Sequence, residues 1–139
     1  MKRILACGCF DPLHIGHVAH LTAAKTLGDH LTVALTADDF VGKGPGRPVF
    51  PWREREQMLS ALRCVDAVTL HVEIGNTLRT IKPDVYVKGI EYKDTLFEEG
   101  LCHDLGIEVV FLDTHPVYSS TKILNGELLR ERASNPRRL

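Results

Sequence analysis

The hydrophobic positions of this chain form short, nearly continuous apolar runs that alternate with stretches of helical period. The apolar runs predict strands at residues 3–7, 31–35, 67–70, 85–87 and 107–112. The other stretches predict helices at residues 15–27, 52–62, 76–82 and 95–105, and a last helix from Ser120 through Leu129. Continuous apolar strands are typical of a parallel sheet that is covered on both faces.

The alternation of strand and helix predicts the fold class. Right-handed βαβ crossovers at this spacing favour a single-domain α/β fold, with a Rossmann-like, doubly wound, mainly parallel five-stranded sheet flanked by helices. Gly28 and Gly106 stand where the first and fourth helices should end, which predicts C-terminal caps at both. No repeat or linker divides residues 1–139. We expect the polar, basic tail at 134–139 to be frayed.

Composition and charge narrow the class of protein. A length of 139 residues fits one domain. The net charge of −1 disfavours a nucleic-acid partner. No apolar run approaches the roughly 18–20 residues that cross a membrane, so no membrane partner is expected. The four cysteines lack CxxC spacing, which favours reduced thiols in the cytoplasm.

The densest group of chemically useful residues is Gly8-Cys-Phe-Asp-Pro-Leu-His-Ile-Gly-His17, between the first strand and the first helix. Ligands of doubly wound sheets collect there, and a helix N-terminus offers unpaired N–H groups to phosphate. His14 and His17 are three residues apart, so both rings can donate to phosphate oxygens that gain charge during a reaction. Gly16 leaves room for a ligand. Two alternatives stay open, a zinc site that lacks an evident third ligand and a pair of surface histidines.

Later residues could also bind phosphate. Arg55 and Arg63 are eight positions apart on a predicted helix, so both can lie on one face and engage phosphate oxygens. Ser119, Ser120 and Thr121 offer hydroxyls and backbone N–H groups at another helix start, where one of them is expected to be the N-cap.

The Gly/Pro-dense segment 42–48 predicts a mobile loop. Lys43 and Arg47 give this loop positive charge, with which it can close over a triphosphate. Asp38, just after the second strand, could hold a polar group of a substrate or cap a loop. Asp11 could orient His14 or His17, or reach Mg²⁺.

The pattern Gly-x-Phe-Asp-x-x-His-x-Gly-His resembles the signature of the cytidylyltransferase-like nucleotidyltransferases. Two further landmarks follow in the expected order, Trp52-Arg-Glu-Arg55 with Leu62-Arg-Cys-Val-Asp66, and then Tyr118-Ser-Ser-Thr-Lys-Ile123. The resemblance covers almost the whole chain. It implies transfer of a nucleoside monophosphate from a nucleoside triphosphate to a phosphate acceptor, with Mg²⁺ accompanying the triphosphate, pyrophosphate as leaving group and a homodimer as assembly.

Two branches of this superfamily compete. Lys43-Gly, Arg47-Pro-Val49 and Pro83-Asp-Val-Tyr-Val-Lys-Gly89 with Tyr92-Lys93 resemble bacterial heptose-1-phosphate adenylyltransferases. That branch implies ATP, heptose 1-phosphate and an ADP-heptose for surface-glycan synthesis. Glycerol-3-phosphate cytidylyltransferases, which use CTP, carry an arginine shortly before the final Ser/Thr turn, and residues 113–117 supply none here. They remain the alternative, together with a non-catalytic nucleotide-binding module.

The residues and the resemblance together predict one site, without a resident metal. The catalytic residues are expected to be His14, His17, Lys43 and Arg55. The nucleotide-binding residues are expected to be Gly8, Cys9, Phe10, Asp11, Gly16, Lys88, Gly89, Glu91, Ser119, Ser120 and Thr121. The acceptor-binding residues are expected to be Asp38, Arg47 and Arg63.

Overall fold

The computed structural model describes residues 1–114 and 119–134. The landmark residue Tyr118 and the part of the expected frayed tail at 135–139 therefore lie outside the described residues. The elements in chain order are β1 Arg3–Gly8, α1 Ile15–Lys25, β2 His30–Thr36, α2 Trp52–Ser60, β3 Ala67–His71, α3 Ile74–Ile81, β4 Val85–Gly89, α4 Glu99–Asp104, β5 Glu108–Leu112, α5 Ser120–Leu124 and α6 Glu127–Ser134. None of these helices has the length and apolar character that spanning a bilayer requires.

The sheet is five-stranded in the order β3-β2-β1-β4-β5. Every neighbouring pair is parallel, which confirms the predicted α/β fold and makes the sheet wholly parallel. The central strand β1 pairs with β2 along its length and with β4 at Ile4 and Leu5. The chain winds in opposite directions from β1 and from β4, so their carboxyl ends flank the crevice in which such folds bind ligands.

Two apolar layers cover the sheet. One contains Ile4 of β1 with Leu21 of α1 and Leu59 of α2. The other contains Leu5 of β1 with Leu78 of α3 and Cys102 of α4. Successive strand residues point to opposite faces, so neighbouring residues of β1 serve different layers. The helices are thereby held on both faces, and the start of α1 is held beside the end of β1.

Most predicted helices differ at their ends from the structure, and two of these differences affect candidate site residues. The expected helix from Ser120 through Leu129 is broken at Gly126, which has a φ of 82°. Asn125 accepts a hydrogen bond from the Glu127 N–H at 3.0 Å and so begins a new helix. α2 ends at Ser60, so Arg63 lies in an exposed turn and shares no helix with Arg55.

The two glycines predicted as helix caps have different roles. Gly106 follows α4 with a φ of 72°, which confirms the left-handed cap. Gly28 has no positive φ, so the cap prediction is wrong there. A Cβ at Gly28 would lie 2.7 Å from the carbonyl oxygen of Lys2. Gly28 is therefore required by the close approach of two backbone segments.

Candidate functional site

A cavity of about 840 Å³ opens at the carboxyl ends of β1 and β4. Its volume suits a ligand built from several linked groups. The predicted residues that line it are Gly8, Cys9, Phe10, His14, Gly16, His17, Lys43, Lys88, Gly89, Glu91, Ser119 and Ser120. The predicted residues that do not line it are Asp11, Asp38, Arg47, Arg55, Arg63 and Thr121.

His14 and His17 cap the start of α1 reciprocally. The Nδ1 atom of His14 accepts a hydrogen bond from the Gly16 N–H at 3.1 Å, and the Nδ1 atom of His17 accepts one from the His14 N–H at 3.2 Å. These bonds satisfy backbone donors that have no partner within the helix. Because both Nδ1 atoms accept, each neutral ring carries its proton on Nε2, on the side away from these backbone groups.

Burial keeps both rings neutral. It is the main reason why the pKa of His17 falls to about 3, and the neighbouring His14, His20 and Lys43 lower it further. Burial also lowers the pKa of His14. The two rings stack with their centroids 3.7 Å apart, and Phe10 packs edge-on against His17 at 4.9 Å. The start of α1 thus presents two fixed, uncharged N–H donors at the cavity wall.

Asp11 anchors a loop. Its buried carboxylate accepts hydrogen bonds from the Val49 N–H at 2.7 Å, the Phe50 N–H at 3.0 Å and Arg47 Nε at 3.2 Å. Burial would raise the pKa of Asp11, but the bonds from Phe50, Val49 and Arg47 outweigh it and lower the pKa. The carboxylate therefore binds the loop. The sequence had instead predicted that it contacts a histidine or Mg²⁺. Arg47 binds Asp11, whereas the sequence predicted that it contacts the substrate.

Arg55 is fully buried and its guanidinium is surrounded by protein acceptors. Nε donates to the Phe50 carbonyl at 2.8 Å, Nη1 donates to the carbonyls of Cys9 and Thr36 at 2.9 Å, and Nη2 donates to Asp38 Oδ1 at 2.6 Å. The geometry gives Arg55 a positioning role for the segments around Cys9 and Phe50. It does not show the direct phosphate contact expected from the sequence, and Asp38 serves as the partner of Arg55.

The hydroxyls of the two serines in the cavity wall form hydrogen bonds within the protein. Ser119 is the N-cap of α5, and its Oγ accepts from the Lys122 N–H at 3.1 Å. The Ser120 hydroxyl donates to the carbonyl oxygen of Pro12 at 2.8 Å. These hydroxyls therefore shape the wall, whereas Thr121 is exposed outside it.

The opposite wall comes from the end of β4. The Nζ atom of Lys88 lies 4.3 Å from the centroid of the Tyr92 ring, a cation–π contact. The carboxylate of Glu91 folds back over Gly89, where the Cβ of any larger residue would overlap it. Gly89 is therefore needed for Glu91 to take this position.

Several cavity residues escaped the sequence prediction, namely Cys7, His20, Val87, Ile90, Tyr92, Asp113 and Thr114. His20 continues the three-residue spacing of His14 and His17, which was a usable signal. Asp113 and Thr114 directly follow β5, at the same edge of the sheet as the end of β4. Within 1–114 and 119–134, no three His, Cys, Asp or Glu side chains are arranged to hold a metal ion.

The lowered pKa of His17 predicts a pH-dependent stability. The unfolded chain binds a proton on His17 near pH 6.5, whereas the folded chain binds one only near pH 3. Between these values the unfolded state holds more protons. The free energy of unfolding therefore decreases as the pH is lowered, by at most about 1.4 kcal/mol per pH unit for this group. We expect His17→Gln, which can still cap the helix, to flatten the dependence in urea titrations from pH 7.5 to 5.

The dependence should not vanish, because burial lowers the pKa of His14, His20 and His71 in the same direction. His103→Gln is the matched control, since the His103 side chain is 92% exposed and lies outside the cavity. Equal pH slopes for the wild type and His17→Gln would contradict the burial of His17.

The surroundings of Arg55 predict a structural cost for its replacement. Arg55→Lys cannot reach all of these acceptors, and we expect it to lower the free energy of unfolding by about 3–5 kcal/mol. The exposed neighbour Arg53 provides the control, and Arg53→Lys should change stability by less than about 0.5 kcal/mol. Chemical denaturation measures both. A stable Arg55→Lys variant with a selective loss of activity would restore the catalytic role.

Curated proteins are similar to this chain over most of its length. The bifunctional protein HldE of Streptomyces coelicolor is 45% identical over 126 residues, which are 87% of this chain and 27% of that protein. HldE of Gluconobacter oxydans is 40% identical over 130 residues, 90% of this chain and 27% of that protein. This chain thus spans about a quarter of the length of these curated relatives.

A solved structure is also similar. The lipopolysaccharide core biosynthesis protein from Thermoplasma volcanium aligns with a TM-score of 0.70 and 29% identity, over 84% of this chain and 99% of its own. The model of the cytidylyltransferase-like family matches residues 5–125, from β1 to the end of α5. This match covers both cavity walls, and the chain belongs to the cytidylyltransferase-like family.

Proposed function

We propose that this chain is an adenylyltransferase that moves AMP from ATP to a sugar phosphate, with heptose 1-phosphate as the acceptor and ADP-heptose and pyrophosphate as products. The observation that carries the proposal is the pair His14 and His17, held neutral with Nε2–H donors at the cavity wall. The similarity to HldE proteins and to a lipopolysaccharide core biosynthesis protein supports a heptose acceptor.

The proposed reaction needs no protein nucleophile. An oxygen of the acceptor phosphate attacks the α-phosphorus and forms a new P–O bond. The bond from the α-phosphorus to the bridging oxygen breaks, and its electron pair leaves with pyrophosphate. Since the acceptor oxygen is already ionised, catalysis consists of alignment and stabilisation of charge. The Nε2–H groups of His14 and His17 would donate to the phosphate oxygens that gain charge.

Two lysines would supply positive charge from different walls. Lys43 lies close enough to His17 for its ammonium to lower the pKa of that ring, and it is suited to neutralise the departing pyrophosphate. Lys88 reaches the cavity from β4, above Tyr92. Gly89 and Glu91 beside it would contact the nucleoside. The neutral imidazoles fit between these cations because they donate hydrogen bonds without adding charge.

Mg²⁺ would enter with the triphosphate as part of the substrate and neutralise its charge. Asp11 does not fit as its ligand, because the carboxylate oxygens are bonded to the segment 47–50. The contribution of the chain is to orient the phosphates and shield the reacting oxygen from water.

The reaction can be tested with the purified chain, ATP, Mg²⁺ and a panel of sugar phosphates that includes both anomers of heptose 1-phosphate. We expect pyrophosphate release with heptose 1-phosphate and an ADP-heptose mass in the product. CTP with glycerol 3-phosphate is tested in parallel. Turnover with this pair alone would show that the chain is a glycerol-3-phosphate cytidylyltransferase. Binding of ATP without turnover on any acceptor would favour a non-catalytic nucleotide-binding module.

Loss of a histidine donor should slow the reaction strongly. We expect His14→Ala and His17→Ala each to lower kcat by roughly 10²–10³, the usual effect of losing one donor to a transition state. His103→Ala, an exposed histidine on α4, should leave the rate unchanged. Pyrophosphate release measures the rates, and circular dichroism checks the fold. A wild-type rate in His17→Ala would rule out its proposed role.

We also propose a homodimer that works in the cytoplasm, where ATP is available and the free thiols of this chain stay reduced. β3 is an edge strand, and Leu70 and Val72 at its end are 56% and 46% exposed. Such an edge can pair with a second copy. Light scattering should give twice the chain mass, and Leu70→Lys should shift it towards the monomer. A monomeric wild type at every concentration would contradict the proposal.

A further inference from the structure

His20 is an imidazole in the cavity wall for which the proposed reaction has no use. It lies on α1, three residues after His17, and lines the same cavity. His14 and His17 each commit one ring nitrogen to the backbone. In the part of the chain that the structure describes, neither ring nitrogen of His20 has a hydrogen-bond partner. Since no buried side-chain nitrogen of the described residues lacks a partner, the ring nitrogens of His20 are accessible, and they can bond a ligand in the cavity.

The position of His20 along α1 indicates which part of a ligand it meets. An α-helix rises 1.5 Å per residue, so His20 lies about 4.5 Å further along the axis than His17. It is therefore displaced from the helix N-terminus, where the phosphates would bind, and it lies close enough to Lys88 and Glu91 at the end of β4 for their charges to act on its ring. In a nucleotide, the group one ester bond away from the α-phosphate is the ribose.

The charge state of His20 suits a hydroxyl group. Burial lowers its pKa, Glu91 raises it and Lys88 lowers it, with a net shift below the ordinary value. The ring is therefore neutral at pH 7, with one nitrogen that donates and one that accepts. A hydroxyl both donates and accepts, whereas a phosphate oxygen only accepts. His20 thus has the chemistry to recognise a sugar hydroxyl.

We infer that His20 hydrogen-bonds a ribose hydroxyl of the bound nucleotide and makes the site selective for ribonucleotides. The inference rests on the proposed function for the identity of the ligand as a nucleotide. It assigns a separate task to each imidazole of α1, since His14 and His17 contact phosphate and His20 contacts the sugar.

Calorimetric titration of the full chain tests this contact. The ligands are a non-hydrolysable ATP analogue and its 2′-deoxy and 3′-deoxy forms. We expect the wild type to bind the analogue roughly tenfold more tightly than one of the deoxy forms, the usual contribution of such a hydrogen bond. His20→Phe keeps a flat ring and loses both nitrogens, so it should bind all of them with the weaker affinity. His20→Asn should recover part of the preference, and His103→Phe should match the wild type.

Inorganic tripolyphosphate distinguishes a sugar contact from a phosphate contact. Its affinity should fall in His17→Ala and stay unchanged in His20→Phe. A loss in His20→Phe as large as for the ATP analogue would make His20 a phosphate ligand and overturn the inference. Equal ATP-analogue affinity in the wild type and His20→Phe would also overturn it while leaving the proposed function intact. A wild type that binds no nucleotide would reject the proposed function itself.

Discussion

The reciprocal hydrogen bonds between His14 and His17 are the constraint on which the site depends. A helix start must find acceptors for its first N–H groups, and here imidazole nitrogens take the place of the more usual hydroxyl and carboxylate. By accepting these bonds, each ring is left with its proton on the other nitrogen. The same bonds therefore stabilise α1 and prepare its donors, so the local fold and the local chemistry have one cause.

The buried charges of Asp11 and Arg55 hold the loops in place through hydrogen bonds to backbone groups. Asp11 binds N–H groups of the segment 47–50, and Arg55 binds the carbonyls of Cys9, Thr36 and Phe50. Irregular backbone near a cavity cannot satisfy its own polar groups, and a buried charge is tolerated only where its partners are complete. These residues belong to the family signature in sequence, yet their contacts in the structure are with the protein backbone.

The sequence predicted the fold well because apolar strand runs and helix spacing are local signals. It also predicted the convergence of His14 and His17, which depends only on their three-residue spacing. It could not tell whether the Arg55 side chain faces inward, because its partners Cys9 and Thr36 are distant in the chain. The four-residue spacing between Arg55 and Leu59 was the available clue, since residues so spaced share a helix face and both are fully buried. The break at Gly126 was missed because the helical pattern continues on both sides of it.

The hydrogen bond from Ser120 to Pro12 joins residues 108 positions apart. The entropy lost in closing a loop grows only slowly with its length, so a distant closure of this kind costs little more than a short one. This hydrogen bond affects the order in which parts of the structure can form. During synthesis from the N-terminus, all five strands can leave the ribosome before Ser120 does, so the sheet can assemble while the cavity still lacks one side. A nascent chain would then pass through a folded stage in which α1 and β4 already form their walls of the cavity while Ser119 and Ser120 have not yet joined them.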